Sequence, residues 1–357
     1  MKKLRKLTAL ALVLCMMLVM AASCGGSGYV IKVGERTVSE AMYENTAKSY
    51  KSNFLTSYGM ESATDAELSE IWDQYTDENQ TSTVGDYLDS AVQNYLITNM
   101  LFSNQFDKLG LTLSDETISE IELEVEQMAN QAGGLESLRD TLMEVNGITY
   151  EEFVDQYYDS AKRTAVVQYY FGENGAEHPV SEQEIADYYT ENYARVKHVL
   201  LLTVDESTSE PLDDEAVAQA EQTANEVYEL ATMDNGGVDN FDQLIDEYNQ
   251  DPGMSTYPEG YRIHKDDNTY DTAFKDAAFD MEIGEVRIVK GSFGYHVMKR
   301  YNVTDEETFT AEDKEMLLEN MMSEEINGLL DQWLLETPAE INDALVQKYS
   351  VRSVSLS

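Results

Sequence analysis

Apolar residues in the first half of the chain recur mainly at the spacing of an α-helix. Leu88, Val92, Tyr95 and Leu96 follow the i, i+4, i+7, i+8 pattern of one helix face, and Gly110 is a suitable end for that helix. Serine or threonine residues at N-cap positions predict further helices over residues 39 to about 54, 114 to about 131 and 149 to about 170, and another that begins at residue 181. A polar stretch up to about residue 83 separates the first two helices. This half of the chain is therefore predicted to be mainly helical.

The hydrophobic pattern changes at Arg195. Residues 195–202, Arg-Val-Lys-His-Val-Leu-Leu-Leu, are largely apolar and predict a buried strand. Helices are then predicted over residues 213 to about 233, 241–248 and 272–279. Two paired strands follow at 286–289 and 295–301, joined through Gly291. A strand, several helices and then further strands is the order expected of an α+β fold.

The chain returns to a helical pattern from residue 310 onwards. One apolar stripe there consists of Leu318, Met322, Ile326, Leu329 and Trp333. This stripe would leave a large apolar face exposed unless it docks on another element, and the N-terminal helices are its natural partner. The α+β region is therefore predicted to be an insertion in a mainly helical domain. The predicted segments are an N-terminal helical domain at 29–193, the inserted domain at 194–302 and a C-terminal helical segment at 303–357 that packs on the first.

The first 23 residues have the pattern of an export signal. Four basic residues precede an apolar run from residue 7 to 22, and small residues then lead to Cys24. Small residues directly before a cysteine resemble the bacterial lipobox, in which the cysteine is lipidated. The resemblance implies a signal peptide at 1–23, a lipidated Cys24 and a flexible tether at 24–28. The protein would then be held by its lipid at the extracytoplasmic face of the cell membrane.

Composition argues against several classes of function. The 68 acidic and 24 basic residues give a net charge of -44, and a surface of that sign repels nucleic-acid phosphates. Apart from Cys24, the only cysteine is Cys15, inside the predicted signal, so the mature chain has no cysteine pair for a disulfide or a zinc site. Its four histidines are not at metal-ligand spacing, and no metal or other cofactor is expected. The sequence motifs of serine hydrolases and zinc proteases are also missing.

Three segments resemble the parvulin family of peptidyl-prolyl isomerases. Residues 195–200 resemble the family's first strand, which carries a histidine followed by aliphatic residues. Residues 277–279 (Ala-Ala-Phe) and 284–286 (Gly-Glu-Val) resemble its late stretch, and residues 293–299 resemble its closing strand with the second histidine. The helical flanks and the lipobox are similar in arrangement to the PrsA foldase lipoproteins of Gram-positive bacteria and, more distantly, to the periplasmic chaperone SurA.

The parvulin resemblance implies a site on particular residues. His198 and His296 would lie at its floor and form a polar network beside the X-Pro bond, and Asp251 occupies the family's Cys or Asp position. Four aromatic residues would line or support the apolar slot for the proline ring: Phe274, Tyr270, Phe279 and Tyr261. Rotation about the X-Pro bond breaks no covalent bond, so this chemistry requires neither a nucleophile nor a metal.

The implied function is that of an extracytoplasmic isomerase and chaperone. Its substrates would be unfolded or partly folded exported polypeptides with X-Pro bonds, and the sequence leaves open whether the protein pairs into a homodimer. Residues 205–215 are acidic where phosphate-directed parvulins carry a basic cluster, so phosphoprotein substrates are not expected. The sequence departs from the family at residues 257–263 and at Gly291, where the family usually has Thr. These departures leave the strength of catalysis open. Two alternatives stay open: a holdase with an inactive parvulin domain, and a solute-binding lipoprotein.

Overall fold

The protein consists of two compact units. The computed structural model describes residues 28–60, 62–76, 80–205, 208, 210–233 and 239–356, so the predicted signal, Cys24 and most of the tether lie outside the described residues. One unit combines the chain up to His178 with Met322–Ser357, and the other runs from Pro179 to Met321. The second unit is thus an insertion in the sequence of the first. None of the helices in the described ranges has the length and apolarity needed to cross a bilayer.

The first unit begins with a short hairpin and continues almost entirely as helices. Its elements are β1 (Ile31–Val33), β2 (Arg36–Val38), α1 (Glu40–Ser57), α2 (Asp65–Trp72), α3 (Val84–Leu109), α4 (Asp115–Gln131), α5 (Leu135–Thr141), a π-helical turn (Leu142–Asn146) and α6 (Tyr150–Phe171). Local side-chain hydrogen bonds begin these helices as predicted: Ser39, Ser114 and Thr149 cap α1, α4 and α6. Gly110 ends α3 with a φ of 67°, which favours glycine.

The second unit is an α+β domain built on a four-stranded antiparallel sheet. Its elements are α7 (Glu182–Asn192), β3 (Tyr193–Leu202), α8 (Asp214–Thr232), α9 (Phe241–Tyr248), α10 (Gly253–Thr256), β4 (Tyr261–His264), α11 (Thr272–Asp280), β5 (Val286–Lys290), β6 (Gly294–Tyr301) and α12 (Ala311–Met321). The strand order is β4-β3-β6-β5. The fold class predicted from the sequence is confirmed.

Strand β3 is apolar along most of its length because both of its faces are buried. Successive side chains of a strand point to opposite faces of the sheet. Val199 and Leu201 face one way and pack in a cluster with residues of α8 and α9. Ala194 and Val196 face the other way and pack in a second cluster with residues of α11. This second face also carries the candidate site.

The chain re-enters the first unit through α13 (Ser323–Glu336), β7 (Ala339–Ile341) and α14 (Asp343–Lys348). Strand β7 pairs antiparallel with β1, so the two ends of the unit share one sheet. The ring of Trp333 lies 5.5 Å from that of Phe102 and 6.0 Å from that of Tyr170, measured between centroids. From α13 onwards the chain therefore packs on the N-terminal helices, whereas residues 303–321 of the predicted C-terminal segment belong to the second unit.

The prediction that the C-terminal apolar residues form one continuous stripe was wrong, because they belong to two separate helices. The helix breaks between Met321 and Ser323, and the boundary between the units falls at the same place. Leu318 is buried in the second unit, whereas Ile326 and Trp333 are buried in the first. In α13 it is Leu330 rather than Leu329 that is buried.

The second unit is longer than the segment 194–302 assigned to the inserted domain from the sequence. Helices α7 and α12, which flank that segment, pack against each other inside the unit. The rings of Tyr189 and Phe309 stack at 5.3 Å, Lys314 Nζ lies 2.8 Å from a carboxylate oxygen of Glu182, and Arg262 binds Asp313 at 2.5 Å. These contacts join both flanks to the sheet domain.

Candidate active site

Two buried histidines meet on the α11 face of the sheet. His198 of β3 is opposite Met298 of β6, and His296 is opposite Leu200, so the two histidines are diagonal neighbours on the same face. Their Nδ1 atoms lie 3.0 Å apart, within hydrogen-bond distance. The two rings are stacked with centroids 5.1 Å apart. Adjacent antiparallel strands therefore join side chains that are 98 positions apart in the sequence.

Asp251 is brought to this pair by a segment that docks on the edge of β3. Asn249 Oδ1 accepts the Leu200 N–H, Gln250 Oε1 accepts the Leu202 N–H, and the Gln250 N–H donates to the Leu200 carbonyl. Strand β4 pairs only with the first residues of β3, so these bonds satisfy an edge that β4 leaves open. The following residue, Asp251, then reaches His198 Nε2 with its Oδ2 at 2.8 Å.

Asp251 accepts two further hydrogen bonds. The Tyr261 hydroxyl donates to Oδ2 at 2.7 Å, and the Gly253 N–H donates to Oδ1 at 2.9 Å. A Cβ at Gly253 would lie 1.8 Å from the Tyr261 hydroxyl, so only glycine lets this tyrosine reach the carboxylate. The Pro-Gly sequence after Asp251 therefore has a part in building the site as well as in the turn.

The carboxylate of Asp251 determines how protons are arranged along the chain of hydrogen bonds. Burial acts to raise the pKa of Asp251, but hydrogen bonds from His198, Tyr261 and Gly253 outweigh it and hold the pKa well below its usual value. An ionised carboxylate only accepts, so we assign a proton to His198 Nε2. With His198 and His296 both neutral, His198 Nδ1 then accepts from His296 Nδ1–H. The remaining nitrogen, His296 Nε2, is left as an acceptor.

An apolar pocket of about 310 Å³ opens beside the two histidines. The ring of Phe274 contacts both of them edge-on, with centroid distances of 5.0 Å to each. Tyr270 stacks on Phe274 at 6.1 Å, and Tyr261 closes the same side at 5.7 Å from Tyr270. The site thus combines an aromatic slot with a fixed polar network, and Asp251 lies in its wall.

Most of the residues predicted for the site are brought together, and one is not. His198, Asp251, His296, Phe274, Tyr270 and Tyr261 all line the pocket. Phe279 packs against the α11 cluster and is absent from the pocket wall. The wall also contains residues that were not singled out from the sequence: Leu200, Leu202, Gln250, Pro252, Thr269, Asp271 and Phe293. Because side chains alternate along a strand, Leu200 and Leu202 could have been placed on the same face as His198 from the sequence. No local sequence pattern places Asp271 in the pocket.

The described residues contain no group of three or more His, Cys, Asp or Glu side chains placed to hold a metal ion.

A second concave surface lies within the first unit. Helices α4, α5 and α6 form a groove of about 250 Å³ with an apolar lining that includes Val125, Leu135 and Val154. Glu122 and Glu126 of α4 also border it, and α4 carries six acidic residues and no basic one. This groove presents apolar contacts beside negative charge.

The pH dependence of stability provides a first test of the histidine pair. Burial, the main cause, and electrostatic repulsion from the neighbouring His198, the second cause, lower the pKa of His296 from 6.5 to about 4. Between those two pH values the unfolded chain takes up a proton that the folded chain does not, so stability should fall as the pH falls through this window. The expected loss is on the order of 2–3 kcal/mol.

Urea unfolding of the wild type and of His296→Gln over this pH range measures the effect. Glutamine does not titrate, so the variant should show a flatter pH profile, and an NMR titration of the four histidines reports the His296 ring directly. Parallel pH profiles for the two proteins would show that His296 titrates as an ordinary exposed histidine.

Comparison with known proteins finds a similarity that falls on the second unit. Residues 180–313 match the family model described as the PPIC-type PPIASE (peptidyl-prolyl isomerase) domain. Over 265 residues the chain is 27% identical to the foldase protein PrsA of Staphylococcus aureus strain MRSA252, a match that covers 73% of this chain and 72% of that protein.

Solved structures of PrsA proteins are also similar. The match to the peptidylprolyl isomerase PrsA from Bacillus cereus covers 80% of this chain and 92% of that chain, with 19% identity and a TM-score of 0.24. The match to the foldase protein PrsA from Streptococcus pneumoniae covers 72% of this chain and 87% of that chain, with 14% identity and a TM-score of 0.33.

Proposed function

We infer that this protein is a peptidyl-prolyl cis–trans isomerase and chaperone of exported proteins. The inference rests on the match of residues 180–313 to the PPIC-type isomerase domain and on the similarity of the chain to PrsA foldases. The observation that carries the catalytic part of the proposal is the His198–His296 pair, 3.0 Å apart and bonded to Asp251 beside an aromatic pocket.

The proposed reaction is a rotation about the X-Pro bond. Amide resonance gives this bond a barrier of roughly 18–20 kcal/mol. Rotation removes the resonance, which localises the lone pair on the proline nitrogen and leaves a more ketone-like carbonyl. A site can lower the barrier by holding the proline ring and by placing fixed dipoles around the twisted imide.

The residues of the pocket suit these two tasks. In our proposal the proline ring lies against Phe274 and Tyr270, an apolar surface that the ring can enter without losing a hydrogen bond, because proline has no N–H. His198 and His296 act together as a polar floor, and Asp251 keeps their protons oriented. The order of dipoles is set before the substrate arrives, so no reorganisation is needed during rotation.

The chaperone part of the proposal uses the groove of the first unit. An unfolded client exposes apolar side chains, and the groove offers Val125, Leu135 and Val154 to cover them. Because Glu122 and Glu126 border this surface, we propose that it holds apolar client segments with neighbouring lysine or arginine residues.

One protein preparation with two assays tests both parts. The wild type should accelerate isomerisation of a short X-Pro peptide and should also suppress aggregation of an unfolded client. Leu135→Ser, in the groove, should weaken the suppression about two- to fivefold by removing apolar contact area, without changing peptide isomerisation. Leu123→Ser is the matched control, because Leu123 belongs to α4, another of the groove-forming helices, but is 55% exposed and does not line the groove.

The alternatives predict different results in these assays. Client protection without any acceleration of the peptide would favour a holdase whose parvulin domain is inactive. A solute-binding lipoprotein would instead be stabilised by a small solute. That alternative requires two lobes of repeating strand–helix units, and the described sheets are antiparallel.

We further propose that Cys24 carries lipid and holds the protein at the outer face of the cell membrane, and that the protein forms a homodimer. Support for the anchor is the basic, apolar and small-residue pattern that ends at Cys24. Incorporation of labelled palmitate into the wild type and not into Cys24→Ala tests the anchor, and sedimentation equilibrium tests the dimer.

A further inference from the structure

The charge of the isomerase pocket has one sign. Among the described residues that line it are two aspartates, Asp251 and Asp271, and no lysine or arginine. Asp251 is engaged by His198 and Tyr261, whereas Asp271 lies on another element and contacts neither. The role proposed above for the site accounts for Asp251 but gives Asp271 no part.

Asp271 is held firmly at the edge of the pocket. Its Oδ1 accepts the N–H groups of Ala273 and Phe274 at the start of α11, and its Oδ2 accepts the Ser292 N–H at 3.1 Å. Burial acts to raise the pKa of Asp271, but the hydrogen bonds from Ser292, Phe274 and Ala273 outweigh it and lower the pKa. The carboxylate is therefore both fixed in position and ionised at neutral pH.

Gly291 brings Asp271 and His296 to a common point. A Cβ built on Gly291 would lie 2.9 Å from His296 Nε2 and 3.2 Å from Asp271 Oδ1. His296 is only 5% exposed, and its Nε2 has no hydrogen-bond partner among the described residues. The proton order assigned from Asp251 makes this nitrogen an acceptor. A side chain at residue 291 would crowd both acceptors, one of them charged, so glycine is what lets them lie close together.

We propose that Asp271 and His296 Nε2 form an acceptor subsite that favours clients with lysine or arginine next to the isomerised proline. A cationic side chain supplies several N–H donors and a charge opposite to that of Asp271. A glutamate at the same place would face the two aspartates and would be repelled. This inference rests on the proposed isomerase function and specifies its substrate class.

Peptide turnover tests the proposal on the wild-type protein first. Two series are compared at low salt, one with Lys, Gln or Glu before the proline and one with the same residues after it. In at least one series kcat/KM should be about tenfold higher for Lys than for Glu, with Gln between them. The preference should shrink at high salt, because ions screen a partly exposed charge.

Two isosteric variants then locate the charge responsible. Asp271→Asn should reduce the Lys-to-Glu ratio to about two- to threefold, and the Gln peptide serves as the reference for any general loss of activity. Asp276→Asn removes the same charge from an exposed position on α11 outside the pocket, and should leave the ratio unchanged.

The outcomes separate this inference from the function on which it rests. Equal turnover of Lys and Glu peptides in both series would overturn the subsite while leaving the isomerase in place. An equal loss of preference in the two variants would also overturn it, in favour of the general field of an acidic surface. Failure to turn over any peptide would overturn the isomerase proposal, and the subsite with it.

Discussion

Replacement of Asp251 by asparagine should lower kcat/KM for a prolyl peptide by about 10- to 100-fold, which corresponds to about 1.4–2.7 kcal/mol of barrier height. The amide has the shape of the carboxylate and can still accept from His198 Nε2 and the Tyr261 hydroxyl at one oxygen. It has no charge, however, and it places an NH₂ group where the Gly253 N–H now finds an acceptor. Residue 251 then no longer fixes which nitrogen of each histidine carries the proton.

The peptide assay is to be combined with an NMR observation of the ring nitrogens. In the wild type His198 should carry its proton on Nε2, and in Asp251→Asn this preference should weaken together with the rate. Asp246→Asn is the matched control, because Asp246 is an exposed aspartate of α9 in the same unit, and it should retain full activity. Full activity of Asp251→Asn would mean that Asp251 is only a turn residue before Pro-Gly.

Replacement of Phe274 by alanine should destabilise the second unit by about 3–5 kcal/mol and remove most of the isomerase activity. Phe274 is 3% exposed and belongs to the cluster that joins α11 to the sheet. Its ring also contacts both site histidines, so truncation leaves a cavity beneath the pocket and frees the two imidazoles to move. Loss of packing and loss of the proline surface therefore occur together.

Two further substitutions separate these two effects. Phe274→Leu keeps most of the buried volume, so it should cost less stability than alanine while still impairing activity through the lost ring. Phe293→Ala makes the same truncation in the pocket wall at a residue that is 51% exposed, and should cost less than about 1 kcal/mol in denaturant unfolding. Similar destabilisation by Phe274→Ala and Phe293→Ala would contradict the proposed role of Phe274 in the core.

Helix ends were predictable from the sequence because their causes are local. A capping side chain and the N–H that it binds are three residues apart, as at Thr149 with Glu152 and at Ser181 with Glu184, and both capping boxes are present. The same holds for Gly110, whose backbone conformation ends α3. Helix α2 was missed because it is short and lies in a polar stretch, although Thr64 and Glu67 form a capping box at its start.

Strands β3, β5 and β6 and the two histidines were also accessible, through the apolar run of β3 and the similarity of three segments to a known family, whereas β4 was not predicted. Pairing of distant segments was not accessible. Strand β7 meets β1 across about three hundred residues, and three-residue strands carry too little pattern to specify a partner. The break between α12 and α13 was equally hidden, because an apolar periodicity continues through it while the two helices bury their faces in different units.

In the site itself, residue types and their chain order could be predicted, while geometry could not. Asp251 depends on Asn249 and Gln250 binding an open strand edge, and Asp271 on a glycine that lets two acceptors approach. Such arrangements arise from atoms that are close in space and distant along the chain. Local preferences therefore account for the elements and for the chemistry that they carry, whereas the packing of these elements alone establishes which side chains share a pocket and which carboxylates face it.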